Sequence, residues 1–239
     1  MPSQWWTYTL SDFLLFSPRT YYRLFELYNA DIWPAQIMAL LLGFAIAALI
    51  GWGGAWRGRA VTAILGLCWI WIAWAFHYER YATINWAATY VALGFAAEGL
   101  LLIGLGLAAR RAWLPVDDTI HRVGLGIFLF ALVVQPVIGP LTGRALGQVE
   151  LFGVAPDPTA VATLGALLCT ADRAFWWLAA GPLAWCAITG MTLWTMEATD
   201  ALVTPLAALV VVSTAIWKRS GTRARGGSDG QPADTADQA

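Results

Sequence analysis

Long apolar stretches alternate with short polar segments along most of this chain. Six of the stretches have the 17–25 residues that a helix needs to cross a hydrocarbon layer. Tryptophan, arginine, glycine or proline marks most of their ends, as is common at membrane–water interfaces. The pattern therefore predicts an all-α, polytopic transmembrane bundle built on Pro34–Trp52, Ala60–Tyr78, Asn85–Ala109, Thr119–Pro140, Phe175–Met196 and Ala201–Trp217.

A seventh apolar stretch, Pro158–Ala171, is only 14 residues long. It is short for a membrane span, and its sequence alone fits either a span or a re-entrant segment. Charge decides, because lysine and arginine concentrate on the cytoplasmic side of membrane proteins. With seven spans and the N-terminus outside, ten basic residues fall inside and four outside. The inside set is Arg57, Arg59, Arg110, Arg111, Arg122, Arg173, Lys218, Arg219, Arg223 and Arg225, and the outside set is Arg19, Arg23, Arg80 and Arg144.

Residues 1–33 form an aromatic-rich segment before the first span. Ser17 followed by Pro18 predicts a helix start. In that helix Tyr21, Leu24, Phe25 and Tyr28 share one face, and Arg19, Arg23 and Glu26 the other. Two positions are open for it: an amphipathic helix in the membrane interface, or a helix packed on the soluble side of the bundle. The segment lacks the basic start and apolar run of a signal peptide.

Composition agrees with the membrane class, since 59% of the residues are hydrophobic and 12% charged, against about 25% charged in soluble domains. The transmembrane bundle is expected to comprise residues 34–217. Residues 218–239 are expected to form a cytoplasmic tail, which is basic at its start and disordered from about Ser220 onward. The few scattered basic residues do not suit a nucleic-acid partner. The three cysteines lie in apolar stretches without metal-binding spacing, so neither a metal site nor a disulfide is expected.

Glu98 lies near the middle of the third span. A carboxylate at that depth costs on the order of 2.5–3.5 kcal/mol. It must therefore face the bundle interior, find a partner or carry a proton. Its depth is compatible with a proton or cation site and equally with a neutral structural acid.

Four polar residues approach Glu98 from the predicted outer side of the bundle. Together with Glu98 they predict a polar vestibule that binds a small solute or ion; these residues are His77, Asn85, Gln135 and Thr159. The basis is depth alone, because the sequence does not give helix rotation. In this topology His77 and His121 lie at opposite faces of the membrane, so the two cannot ligate one haem. No cofactor is therefore expected. Asp157–Pro158 is interpreted as a cap at the start of the fifth span.

Three blocks together resemble a known family. They are Tyr28–Gln36, His77 with Ile84–Asn85, and Phe152–Thr159. The chain resembles the bacterial membrane proteins grouped as domain of unknown function 6064. The resemblance implies a multi-pass inner-membrane protein and no particular activity. Two departures stand out, because Glu98 replaces a glutamine that the family tends to carry, and Asp157 replaces a cysteine.

The leading functional hypothesis is a small-solute or ion-translocating membrane protein with Glu98 at a mid-membrane site. The alternative is a non-enzymatic subunit or scaffold, whose partner is a larger membrane complex or a second copy of the chain. The small-residue face of span three supports this alternative (Gly94, Gly99, Gly104, Gly106). No catalytic set is recognisable in the sequence, which disfavours an intramembrane enzyme.

Overall fold

The computed structural model describes residues 16–52, 55–108, 118–170 and 174–228. This part of the chain is helical and contains no extended strand. Nine α-helices follow one another: α1 Pro18–Asp31, α2 Ala35–Trp52, α3 Ala55–Trp71, α4 Ala88–Ala108, α5 Thr119–Leu129, α6 Gln135–Leu141, α7 Pro156–Leu168, α8 Phe175–Thr195 and α9 Val203–Ser228. Helix α3 continues as a π-helical segment, Ile72–Tyr78, and a second one, Phe130–Val134, joins α5 to α6.

Four helices are long and apolar enough to cross a membrane: Ala35–Trp52, Trp56–Thr83, Ala88–Gly106 and Thr119–Leu141. They coincide with the first four predicted spans. The other predicted spans correspond to α7, α8 and α9. Within α9, Val203–Lys218 forms an apolar helix that is shorter than these four. The all-α class is thus confirmed, and the count of seven spans stays a prediction.

Helix α7 is the short segment that the sequence left ambiguous. All 13 of its residues are buried, and burial is unbroken from Phe152 to Thr170. It packs against α5, α8 and α9 and also contacts α3. A helix enclosed by protein on all sides need not match the thickness of a hydrocarbon layer, because its ends and faces do not meet lipid. Its length is therefore no argument against a central position.

Side-chain contacts fix the direction of the helices around α7. Thr204, at the start of α9, and Asp157, at the start of α7, line one small cavity. At the other end, Nζ of Lys218 donates to the carbonyl of Thr170 at 2.7 Å. Helices α7 and α9 consequently run side by side in the same direction. The two ends of the bundle are called the Asp157 end and the Lys218 end below.

Glycine allows two pairs of helices to approach closely. A Cβ atom on Gly124 of α5 would lie 2.7 Å from the carbonyl oxygen of Gly165 of α7, and a Cβ atom on Gly165 would meet Gly124 in the same way. Gly66 of α3 and Gly99 of α4 form an equivalent crossing. These crossings bring α5 onto α7 and α3 onto α4 as antiparallel neighbours, as small residues do in membrane bundles.

Helix α1 starts at Pro18, where Oγ of Ser17 accepts a hydrogen bond from the amide of Thr20 at 3.2 Å. The aromatic face predicted from the sequence is buried, namely Tyr21, Leu24, Phe25 and Tyr28. It packs on protein: Phe25 stacks on Phe76 with ring centroids 4.8 Å apart. The contact fits the helix packed on the bundle; its position relative to a membrane interface stays a prediction.

The C-terminal helix α9 continues to Ser228. The disorder that the sequence predicts from Ser220 stays a prediction. The rest of the predicted disordered tail, residues 229–239, lies outside the described residues.

Candidate functional site

A buried charged cluster occupies the Asp157 end of the bundle. The guanidinium group of Arg144 lies between two acids: Nη1 donates to Oε1 of Glu150 at 3.2 Å, and Nη2 donates to Oδ2 of Asp200. The ring of Tyr22 covers the guanidinium group, and Cζ of Arg144 lies 5.0 Å from the centroid of that ring. These residues come from α1 and from the connections α6–α7 and α8–α9. The ion pairs therefore join the two connections, and the contact with Tyr22 adds α1 to the cluster.

Burial changes the proton affinity of Glu150. The side chain is almost inaccessible, at 8% exposure. Desolvation raises the pKa of Glu150, the neighbouring charge of Asp157 raises it further, and Arg144 opposes both. Glu150 is thus an acid whose protonation is held in balance by one cation and two other carboxylates.

Asp157 lies beside this cluster, in the first turn of α7. Its Oδ1 accepts a hydrogen bond from Nε1 of Trp185 at 2.7 Å, and its Oδ2 accepts one from the hydroxyl of Thr189 at 2.9 Å. The sequence predicted that Asp157 caps a helix. That prediction is wrong: the helix begins at Pro156 after Ala155, and no side chain caps it. The carboxylate points across to α8 instead.

Trp185 connects Asp157 with His77. The indole ring lies edge-on to the imidazole of His77, with centroids 4.9 Å apart, and Phe95 of α4 closes the group at 4.3 Å from His77. His77 is 0% exposed, and neither ring nitrogen has a hydrogen-bond partner among the described residues. The π-helical segment Ile72–Tyr78 presents it, and such segments often occur at functional sites. An unsatisfied buried imidazole is costly for a purely structural residue.

Glu98 lies one helical turn beyond Phe95 on α4. It is 4% exposed, and its Oε1 has no hydrogen-bond partner in the described part of the chain. The carboxyl group fills the space beside Gly181 of α8, where an added Cβ would be 2.6 Å from Oε2. Glu98 thus faces the interior of the bundle, as expected because a carboxylate exposed to an apolar layer is energetically costly.

One face of α8 runs past Glu98, His77 and Asp157. Gly181, Trp185 and Thr189 are spaced four residues apart, so their side chains lie in one row. Gly181 contacts Glu98, Trp185 contacts His77 and Asp157, and Thr189 contacts Asp157. At 1.5 Å per residue the row spans about 12 Å. It leads from the middle of the bundle to the charged cluster.

The remaining predicted site residues separate into two groups. Gln135 lines the small cavity at the charged cluster. Asn85 instead accepts a hydrogen bond from the amide of Ala87 at 3.1 Å, at the start of α4. Thr159 accepts one from the amide of Gly153 and donates to Ala155, which closes the turn before α7. Gly153 has φ +80°, a conformation that suits glycine. Asn85 and Thr159 thus serve local structure.

Sequence reasoning missed Arg144, Glu150, Asp200, Asp157 and Trp185 as members of a site. Each polar member lies at a helix end or in a connection, where charge normally faces water. Trp185 is one of 15 tryptophans. The available signal was the Phe152–Thr159 block, which carries Asp157 between two prolines inside an otherwise apolar region.

A second, wider cleft lies on the surface between α1 and the α3–α4 connection. Its volume is about 720 Å³, and its charged lining includes the ion pairs Arg23–Glu26 and Arg80–Asp31, the latter at 2.8 Å. Both pairs are largely solvent-exposed. Exposed pairs contribute little energy, so the buried row along α8 is the stronger candidate site.

Two of the blocks that carry the family resemblance, Tyr28–Gln36 and Phe152–Thr159, meet beside the charged cluster. The hydroxyl of Tyr28 donates to the carbonyl of Val154 at 2.9 Å, and Nδ2 of Asn29 donates to Val149 at 2.8 Å. They bind α1 to the connection that carries Glu150 and Asp157.

No curated protein and no solved structure is significantly similar to this chain. Residues 19–225 match the model of a family of unknown function, DUF6064, and the chain therefore belongs to that family.

Proposed function

We propose that this protein is an integral membrane protein that moves protons across the membrane, by way of the Asp157 end of the bundle and Glu98 in its middle. The observation that carries the proposal is the row of buried titratable groups along α8. Glu98, His77 and Asp157 lie opposite successive turns of α8, at Gly181, Trp185 and Thr189. Both ring nitrogens of His77 and Oε1 of Glu98 lack a hydrogen-bond partner among the described residues. Ionisable groups kept inside an apolar bundle commonly form proton relays.

The surface supports the membrane setting. Four helices have the length and hydropathy of spans. Exposed tryptophans lie near both ends of the apolar region: Trp33, Trp74 and Trp86 toward the Asp157 end, and Trp52, Trp56, Trp177 and Trp217 toward the Lys218 end. This distribution is typical of side chains at two membrane interfaces.

The helix directions agree with the seven-span topology. In that topology α7 and α9 both run from outside to inside, which matches their parallel arrangement. The ten-to-four distribution of basic residues supports a cytoplasmic position for the Lys218 end. The charged cluster would then open to the outer side of a cytoplasmic membrane.

Proton flux into liposomes tests the proposal. Purified protein is reconstituted with a pH-sensitive dye inside, and a potassium gradient with valinomycin drives protons across. We expect flux above that of protein-free liposomes, and loss of it in Glu98→Gln, because the amide cannot carry the proton. Glu79→Gln, at an exposed position, is the matched control and should conduct like wild type. Equal flux in wild type and Glu98→Gln would rule the proposal out.

The second candidate function, a subunit of a larger membrane complex, has a narrower basis than the sequence suggests. Of the four glycines in α4, Gly99 and Gly106 pack against α3 within the chain. An added Cβ on Gly94 or Gly104 would meet no atom of the described residues within 4 Å. These two open glycines favour a helix of another chain at this face. Stoichiometric co-purification of a second protein, lost in Gly94→Leu and Gly104→Leu, would support this function over transport.

A further inference from the structure

The small cavity at the charged cluster has room for one small ion. Its volume is about 20 Å³, slightly above the 10–15 Å³ or so that one water-sized guest needs. Its lining carries three oxygen atoms that have no hydrogen-bond partner among the described residues: Oε2 of Glu150, Oγ1 of Thr204 and Oε1 of Gln135. Glu150 and Thr204 are 8% and 1% exposed. Two nearly inaccessible side chains that line this cavity thus each carry an oxygen without a partner among the described residues.

The charge around the cavity is unbalanced. Glu150, Asp157 and Asp200 supply three carboxylates, and Arg144 is the one cation among the lining residues. Its donors are directed at Oε1 of Glu150 and at Asp200, which leaves Oε2 of Glu150 unneutralised. With all three acids ionised, which requires a pH above the raised pKa of Glu150, the lining carries a charge of −2. A buried net charge of this kind is costly unless an ion of opposite sign accompanies it.

The donor atoms select the class of ion. Carboxylate, hydroxyl and amide oxygens are ligands of hard cations, whereas transition metals prefer nitrogen and sulfur. The described residues contain no group of three or more His, Cys, Asp or Glu side chains placed to hold a metal ion. A neutral hydroxyl and a neutral amide next to one free carboxylate oxygen suit a monovalent cation.

We infer that this cavity is a sodium site, formed by Glu150, Thr204 and Gln135 at the Asp157 end of the bundle. The inference goes beyond the proposed proton transfer and does not depend on it. Sodium bound here would lie next to Asp157, whose carboxylate also lines the cavity. Occupation of the site would therefore change the electrostatic field at the outer end of the row along α8.

Equilibrium binding of radioactive sodium to the purified, detergent-solubilised protein tests this inference. In choline chloride buffer we expect saturable binding of one ion per chain. Thr204→Val removes a ligand and keeps the side-chain shape, so affinity should fall by about tenfold or more. Thr214→Val, on the exposed face of the same helix, should bind like wild type. Glu150→Gln should abolish binding.

Three results would overturn the sodium site. These are no saturable binding by wild type, equal affinities in Thr204→Val and Thr214→Val, and undiminished binding by Glu150→Gln. Elution as a monodisperse peak checks that each variant is folded. Glu98→Gln should still bind sodium, so failure of the proton pathway and failure of the sodium site are distinguishable.

Discussion

The indole nitrogen of Trp185 donates a 2.7 Å hydrogen bond to the carboxylate of Asp157, and this bond joins α8 to the first turn of α7 in the buried centre of the bundle. Both partners are almost fully buried. A hydrogen bond to a buried carboxylate is worth more than one between neutral groups, about 1.5–3 kcal/mol. The pair is thus both a structural link and the connection between the charged cluster and His77.

A double-mutant cycle should detect this bond. Asp157→Ala and Trp185→Phe are each expected to lower the free energy of unfolding by about 1–3 kcal/mol, since each leaves a buried polar group with a missing partner. The double variant should be less destabilised than the sum, with a coupling of about 1.5 kcal/mol or more. Unfolding in detergent micelles measures all four proteins. Strict additivity of the two single changes would show that the bond does not form.

The crossing of α5 and α7 predicts a contrast between two glycines on one helix. In Gly124→Ala the new methyl group would lie 2.7 Å from the backbone carbonyl of Gly165 and from Sγ of Cys169. The helices must separate, which should cost about 1–3 kcal/mol. Gly126→Ala meets no atom within 4 Å and gains up to about 1 kcal/mol of helix propensity. Thermal unfolding of both variants checks this; the same shift in both would contradict the close crossing.

Glu150 should make stability depend on pH. Burial raises the pKa of Glu150 in the folded protein above the value of 4.5 expected when unfolded. The folded state then binds the proton more tightly, so Glu150 stabilises the fold fully below pH 4.5, and this contribution falls as pH rises to the raised pKa. The facing charges are Arg144, Asp157 and Asp200, with Tyr22 covering Arg144.

Glu150→Gln should remove this part of the pH dependence. The amide keeps the side-chain size, and Arg144 retains Asp200 as a partner. Melting temperatures measured above pH 4.5 should therefore fall less steeply with pH in the variant than in wild type. Glu26→Gln, in the ion pair with Arg23 on the surface of α1, is the control and should follow wild type. Parallel curves for Glu150→Gln and wild type would contradict the assignment.

Particular residues show why helices could be predicted and the site could not. The first four spans follow from local hydropathy, and Ser17 starts its helix as expected because capping involves neighbouring residues. The burial of Glu98 followed from the cost of a carboxylate in an apolar layer.

The charged cluster is different, because Arg144, Glu150 and Asp200 meet only after the α6–α7 and α8–α9 connections fold together. Asp157 resembles a cap in sequence, and its direction depends on how α7 and α8 are rotated. His77 was predicted to lie at the site, but its contact with Trp185 could not be. Rotation and partner choice are properties of tertiary packing, which one sequence does not specify.

The central claim is that Asp157 and Glu98 belong to one proton pathway. Hydrogen–deuterium exchange of the Glu98 carboxyl group tests it most directly, followed by infrared spectroscopy of protein in bilayers, with the band identified by its loss in Glu98→Gln. We expect exchange to slow by about a hundredfold in Asp157→Asn, the lower end of what a positioned proton-transfer group contributes. Exchange at the wild-type rate in Asp157→Asn would contradict the pathway.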